Sequence, residues 1–413
     1  MSPLPSVEVH DVQLRTISHC EVCGSPDLLP VLDLGLHAMC DDLVAIGDPR
    51  ECLRFPIAIV FCATCCTAHQ KHQVPQQALF PRSYHYRSSL TADVLRGMAQ
   101  LVDSIEQHDG PVSGERILDI GCNDGSLLSI FKARGAITHG IDPTDAALEA
   151  AAAGHSVTQG FFDVASARAF VAEFGHPDVI TFTNVFAHIE QLQDLLSALR
   201  VLLGPASRLV IENHYLGAVT ARLQFDTFYH EHPRTYSYAS FGHIAAALDR
   251  TIHRVEFPSR YGGNVRVVIG VATAASPATA DRPDESALGA ELRAMPARVE
   301  RWRQAMRQHI EQLVLSHGPL RAKAFPGRAA IIVELLQLDT SLVREVYEQP
   351  ASPKIGHYLP GTRIPIVSDA DFDTRDASPV INFAWHIQSE IEGYLRRAGF
   401  AGVIVPVVSL EHH

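Results

Sequence analysis

The spacing of apolar positions divides this 413-residue chain into three stretches, and a chain of that length asks for two or three separate cores. Residues 1–80 carry no long periodic run, which predicts a small irregular module. From about residue 84 to 271 short apolar runs alternate with helical patterns. Strands are predicted over residues 116–120, 137–141, 178–182 and 208–212. Helices are predicted over 125–134, where Leu127, Leu128, Ile130 and Phe131 recur at helical spacing, and over 192–203. Strand and helix in alternation predict a parallel sheet with helices on its faces. Residues 274–283 read as a linker. A long helix is predicted over 286–316, then buried strands over 329–333 and 379–384, a helix over 389–398 and a closing strand over 402–407. The predicted fold class is α/β: a module at 1–80, a central Rossmann-like domain at 81–273 and a smaller α/β domain at 284–409.

Composition changes this picture little. Charged residues make up 19% and hydrophobic residues 46%, values that suit a globular chain. The net charge of −12 speaks against a nucleic-acid partner. No apolar run reaches the roughly 18 residues that a membrane span needs, so no membrane partner is expected. The first residues lack a charged and then apolar leader pattern, and a cytoplasmic location is expected. Leu410-Glu411-His412-His413 reads as a tag remnant and is set aside, 410–413.

Cysteine changes it more. Seven of the eight cysteines fall in the first 66 residues, and Cys20-x2-Cys23 and Cys62-x2-Cys65 form two knuckles. In a large chain without a leader this pattern predicts one structural Zn²⁺ held by Cys20, Cys23, Cys62 and Cys65, with no open position. Cys66 competes with Cys65 as a ligand. Cys40 and Cys52 read as core or surface thiols, and His37 as a bystander.

Leu118-Asp119-Ile120-Gly121-Cys122-Asn123-Asp124-Gly125 ends a predicted strand and opens a helix. Glycines there let the backbone approach a ligand closely, at the end of the strand where open α/β sheets bind. The next strand closes on Asp142, placed to accept ribose hydroxyls. No Gly-Lys-Ser/Thr follows, which excludes a P-loop. A dinucleotide dehydrogenase is the other reading, disfavoured by the glycine spacing. The string resembles that of class I S-adenosylmethionine-dependent methyltransferases. The resemblance implies that Asp119, Gly121, Asn123 and Gly125 belong to the cofactor site, that Asp142 holds the ribose, that Asp163 faces the adenine and that Asn184 lies near the sulfonium.

Tyr229-His230-Glu231-His232 places a phenol, a carboxylate and imidazoles within four residues, groups that move protons near neutral pH. His188, Tyr84 and Tyr86 are predicted near the same sheet edge. With the knuckles, Tyr84-x-Tyr86-x-Ser88-Ser89, Ala187-His188-Ile189, Gly262-Gly263-Asn264-Val265-Arg266, Gly356-His357-Tyr358-Leu359-Pro360-Gly361-Thr362-Arg363 and Phe383-Ala384-Trp385, the chain resembles the sugar C-methyltransferases that act on nucleotide-linked 4-keto deoxysugars. One segment departs: Ala324-Phe325-Pro326-Gly327-Arg328-Ala329 stands where that family carries Tyr-Gly-Ala-x-Ala-Lys. The resemblance implies S-adenosylmethionine and structural zinc as cofactors and a nucleotide-linked 4-keto sugar as substrate. His232, oriented by Glu231, would remove the C-3 proton, while Tyr229, His188 and Tyr84 or Tyr86 donate to the 4-oxygen. Asn264, Arg266, Lys354, Tyr358 and Arg363 would hold the nucleotide sugar. Two readings compete: an O- or N-methyltransferase on a small metabolite, and a zinc-ribbon scaffold whose methyltransferase fold has lost activity.

Overall fold

A computed structural model describes residues 12–271 and 282–408. The predicted linker, apart from its last two residues, and the tag remnant lie outside the described residues. In the N-terminal module, strands β1 (Leu29–Ala38), β2 (Arg54–Cys62) and β3 (Thr67–Gln70) pair antiparallel. Phe55, Ile57, Ile59 and Phe61 of β2 alternate at period two and all turn inward, as a half-buried strand requires.

The central domain begins with α1 (Ala92–Asp109). It continues as β4 (Arg116–Ile120), α2 (Ser126–Ala133), β5 (Ile137–Asp142), α3 (Ala146–Ala152), β6 (Ser156–Gln159), α4 (Val164–Phe174), β7 (Val179–Thr183), α5 (Leu192–Leu202) and β8 (Arg208–His214). Then come α6 (Leu216–Ala221), β9 (Arg234–Thr235), α7 (Tyr238–Ala247), β10 (Thr251–Glu256) and β11 (Asn264–Gly270). The sheet order is β10-β11-β8-β7-β4-β5-β6. Five strands run parallel, and β11 lies antiparallel between β8 and β10. Ile117, Leu118 and Ile120 of β4 are buried whichever way they point, as in a sheet covered on both faces.

The C-terminal domain comprises α8 (Leu288–His317), β12 (Leu320–Lys323), α9 (Ala329–Leu335), β13 (Val343–Glu348), β14 (Ile366–Ser368), β15 (Val380–Asn382), α10 (Gln388–Arg397) and β16 (Ile404–Pro406). Its parallel sheet has the order β14-β13-β12-β15-β16. The strand predicted at 329–333 is helix α9 instead. Ala329 through Val333 are all buried, and a short apolar run without polar punctuation carries no period. The actual strand, β12, hides behind Arg321 and Lys323, charged residues that are themselves buried.

The three parts are tied together. Strand β9 of the central domain pairs with β3, Arg234 opposite His69, and completes the zinc module's sheet. Val44–Ala45 of that module pairs with His357–Tyr358 of the C-terminal domain. One hydrophobic core joins Ile57, Ile59 and Phe61 of β2, Phe225 and Phe228 ahead of the Tyr-His-Glu-His segment, Trp302 of α8 and Ile381 of β15. Among the described residues no helix is long and apolar enough to cross a membrane.

Candidate active site

The carboxyl ends of β4, β5, β7 and β8 face those of β12, β13 and β15 across one cavity of about 660 Å³. Open α/β sheets bind ligands at this edge, and here two such edges share one space. Cys40 and Asp41 of the zinc module complete the wall.

At one end lies the glycine turn. Gly121 has φ +73°, and a Cβ there would stand 2.6 Å from Val185 Cγ1, so only glycine fits and the backbone stays bare. Asp142 is buried. Its Oδ2 accepts from the Asn123 amide at 2.9 Å, and its Oδ1 from the Thr144 amide and hydroxyl at 2.8 and 2.6 Å. The fixed carboxylate keeps acceptor capacity for two further hydroxyls, which fits the ribose of an adenosyl cofactor. Asp119 accepts from the Thr181 hydroxyl at 2.6 Å, and burial pushes its carboxyl up to about 7. Asp163 caps α4 through Oδ1, accepting from Ser166 N at 2.7 Å, and also lines the cavity. Asn123 and Asn184 take left-handed backbone at φ 51° and 55°, uncommon outside glycine and concentrated at binding sites. Asn123 also ties the preceding segment down, accepting from Ser88 N at 3.0 Å and donating to Tyr86 O at 3.1 Å. Gly125 is absent from the wall. It starts α2, where a Cβ would meet Ala150 at 2.9 Å.

At the other end sit the proton-moving groups. His232 is buried, and its Nδ1 lies 2.9 Å from the Thr227 carbonyl. A carbonyl only accepts, so Nδ1 carries the proton and Nε2 keeps its lone pair. Burial holds the ring well below the usual histidine range, so it is neutral at pH 7. Its ring stands 4.4 Å from that of Tyr229, 4.8 Å from His188 and 5.2 Å from His214. Burial likewise lowers His188 to about 4. The predicted Glu231–His232 pair is not formed. The chain turns here, with the His232 amide bonded to the Tyr229 carbonyl at 2.9 Å, and Glu231 points to Tyr84, whose hydroxyl donates to both carboxylate oxygens at 3.2 and 3.1 Å. Cys40 Sγ donates to Glu231 Oε1 at 3.0 Å, and His188 Nδ1 lies 3.9 Å from Oε2. His230 faces away, onto the Phe55 carbonyl at 3.1 Å. Tyr86, 41% exposed, sits at the rim.

Burial pushes the Glu231 carboxyl up to about 7, above its ordinary 4.5. The stability carried by its protonated form is complete below pH 4.5 and is lost as pH rises through 7. Glu231→Gln cannot ionise, so it is expected to gain on the parent across that window, by about 3 kcal/mol at pH 8. Denaturant midpoints at pH 4.5 and pH 8 measure this. A pH-independent difference would mean that Glu231 titrates as an ordinary carboxylate.

The Thr227 carbonyl is itself held from the C-terminal domain. Arg328, in the departing 324–329 segment, grips Asp226 through Nε and Nη2 at 2.8 and 2.7 Å and reaches Thr227 Oγ1 at 2.8 Å. Trp385 Nε1 donates to the same carboxylate at 2.8 Å. Both charges are buried, so breaking the pair strands a cation. Asp226→Ala is expected to cost about 3–5 kcal/mol in unfolding free energy; a loss within about 1 kcal/mol would show that water reaches Arg328.

The predicted substrate residues divide. Lys354 lines the cavity, with Nζ 2.7 Å from the Phe325 carbonyl. The other four do not line it. Asn264 and Arg266 are buried against Glu212, Asn264 at 3.0 Å and Arg266 at 2.8 Å. Arg363 donates to the carbonyls of Asp48, Pro49 and Arg50. Tyr358 accepts from Gly47 N at 3.2 Å. Arg363 and Tyr358 dock the zinc module on the C-terminal domain. Sequence reading missed Cys40, His214, Tyr261, Arg328 and His386, all in the wall. Tyr261 alone, in Tyr-Gly-Gly-Asn, carried a signal, and it takes a strained φ of 54°.

The four knuckle thiols lie within 4.8 Å of one another, Cys20 to Cys65 at 3.4 Å and Cys23 to Cys62 at 3.5 Å. Tetrahedral Zn²⁺ separates its sulfurs by about 3.8 Å, so the set fits that ion. Cys66 is not among the four.

The sheet order, the glycine turn and the acid on the second strand define a class I methyltransferase. Three family models match the chain in succession: "Putative zinc binding domain" over residues 20–80, "Methyltransferase domain" over 85–254 and "C-methyltransferase C-terminal domain" over 260–407. The C-methyltransferase NovU of Streptomyces niveus is 26% identical over 399 residues, 92% of this chain and 92% of its own. The three matches in succession, and NovU along nearly its whole length, mark the chain as an S-adenosylmethionine-dependent C-methyltransferase. Its cofactor is S-adenosylmethionine, and the four thiols whose spacing fits zinc lie within the putative zinc-binding match. A ubiquinone biosynthesis O-methyltransferase of Acinetobacter baylyi is 27% identical over 106 residues, 24% of this chain and 44% of its own. Magnesium protoporphyrin IX methyltransferase from Synechocystis PCC 6803, solved with SAH, aligns over 44% of this chain and 86% of its own, at 19% identity and a TM-score of 0.34.

Proposed function

We propose that the enzyme methylates C-3 of a 4-keto-6-deoxysugar carried on a nucleoside diphosphate, with inversion at that carbon. The observation that carries this reading is the neutral His232, its Nδ1 spent on Thr227 and its Nε2 free, in the same cavity as the cofactor turn. A carbon beside a ketone has a removable proton. Nε2 of His232 takes it, the C–H electron pair moves into the C-3–C-4 bond, and charge gathers on the 4-oxygen. Tyr229, whose hydroxyl makes no hydrogen bond among the described residues, donates to that oxygen, assisted by His188. One such donor is typically worth about 2.7–4 kcal/mol. Asp119, Gly121, Asn123, Asp142, Asp163 and Asn184 would hold S-adenosylmethionine, which would supply an electrophilic methyl group for C-3 and leave as S-adenosylhomocysteine.

Lys354 supports the diphosphate. The cavity's other cations already have acids: Arg87 has Glu149, Arg260 has Glu212, Lys323 has Asp369 and Arg328 has Asp226. Among the described residues Lys354 lines the cavity without a carboxylate partner. The test is deuterium wash-in from solvent without cofactor, followed by NMR on dTDP-, GDP- and CDP-linked 4-keto-6-deoxysugars. Exchange at C-3 is expected on one of them. Methylation of a hydroxyl or amine with no exchange at carbon would replace this reading by O- or N-transfer.

A further inference from the structure

Arg234 lies two residues beyond His232 and is fully buried, yet it touches no part of the cavity. Every nitrogen of its guanidinium is engaged. Nε donates to the Tyr236 hydroxyl at 2.9 Å. Nη1 donates to Glu21 Oε2 at 2.6 Å and to the Glu190 carbonyl at 3.1 Å, and Nη2 donates to the Ile189 carbonyl. Ile189 and Glu190 directly follow His188. Glu21 sits between the ligands Cys20 and Cys23, and its carboxylate also takes Arg15 at 2.6 Å and Gln73 Nε2 at 2.9 Å. The paired edge of the same strand is fixed too. Arg234 pairs with His69, whose Nε2 stands 3.3 Å from Cys20 Sγ. The Gln70 amide donates to the Pro233 carbonyl at 2.8 Å, and Gln70 Nε2 to the Tyr229 carbonyl at 3.2 Å.

We infer that the zinc loop is a positioning element for the reaction: Glu21, set by the metal's ligands on either side, holds Arg234, and Arg234 holds together the backbone that carries His188 and the strand that follows the His232 turn. The two segments come from opposite sides of β8, with 43 residues between Glu190 and Arg234, and a single planar donor with fixed geometry registers them. Lysine cannot serve both carbonyls and the carboxylate from one point charge. A displacement of about 1 Å at this distance from the chemistry is enough to cost about 100-fold in rate. The metal site therefore acts on catalysis through geometry, without touching substrate. For its rate effect the inference rests on the proposed roles of His188 and His232; for its structural effect it does not.

Glu21→Gln in the full-length, zinc-loaded protein tests it, with three readouts. Zinc content by elemental analysis and S-adenosylhomocysteine affinity by calorimetry are expected to stay at parental values, since neither the thiols nor the glycine turn is changed. Amide hydrogen exchange is expected to rise about tenfold or more in peptides covering 186–192 and 229–236, and to stay constant over 117–130. Turnover of C-3 deuterium exchange is expected to fall about 100-fold at unchanged KM. Glu21→Asp, which keeps the charge, is expected to recover a substantial part of both effects. Parental amide exchange in both peptides overturns the inference. So does a uniform rise across all peptides with a matching drop in melting temperature, which marks a general stability role. If the parent protein itself gives no C-3 exchange, the proposed reaction fails, and amide exchange alone still decides whether the zinc loop holds the two segments.

Discussion

His232→Asn is expected to lower C-3 deuterium exchange by about 10²–10⁴-fold, the usual contribution of a positioned general base. The expectation is specific because of what the substitution spares. The Asn amide can still donate to the Thr227 carbonyl, so the loop keeps its anchor, while the Nε2 lone pair is gone. Melting temperature and S-adenosylhomocysteine affinity should therefore match the parent. Undiminished exchange would remove His232 as the base and turn attention to Glu231, a buried carboxyl at the same end of the cavity that burial raises to about 7. A drop in exchange accompanied by a drop in cofactor affinity would mean instead that the wall had collapsed.

Loss of a zinc ligand is expected to act on the whole chain. Cys62→Ser should reduce bound zinc from one per chain to none, read by elemental analysis. Structural Zn²⁺ contributes about 10–16 kcal/mol of apparent binding free energy in small zinc modules, and where no site exists in the unfolded chain that energy is folding energy. Cys20, Cys62 and Cys65 are packed in the same core as Phe182, Phe186 and Tyr236 of the central domain. Thermal unfolding of the variant should therefore show a lowered transition in the central domain as well. One equivalent of retained zinc would show that Cys66 takes the vacant place, the substitution that Cys62-x2-Cys65-Cys66 makes conceivable on paper.

The glycine-turn end of the cavity was legible in the sequence as a strand, turn and helix because its parts are contiguous. A strand, a glycine turn and a helix lie within residues 116–133, and the acid at 142 follows one strand later. The acid–base end was readable as a set of groups but not as pairs. Glu231 and His232 look like partners on paper, and the turn from Tyr229 to His232 sends one to Tyr84 and Cys40 and the other to Thr227. Arg266 reads as a candidate for phosphate, yet the antiparallel register of β11 on β8 sets it opposite Glu212 and uses up its charge. Cys40, His214, Arg328 and His386 carry no local signal at all. Each reaches the cavity through pairings between segments far apart in the chain. Arg328 also gives the departing 324–329 segment a meaning that the sequence lacks: the loop holds Thr227, on whose carbonyl His232 rests, across the domain boundary.

The core shared by β2, the approach to Tyr229, α8 and the C-terminal sheet also governs how the protein comes into being. Ile57, Ile59 and Phe61 leave the ribosome early, but Trp302, Val343 and Ile381, which share their core, are made hundreds of residues later. At about 5–20 residues per second the delay is on the order of tens of seconds. During that time the nascent zinc module presents an uncovered apolar face, and this is the stage at which a chaperone has the most to do.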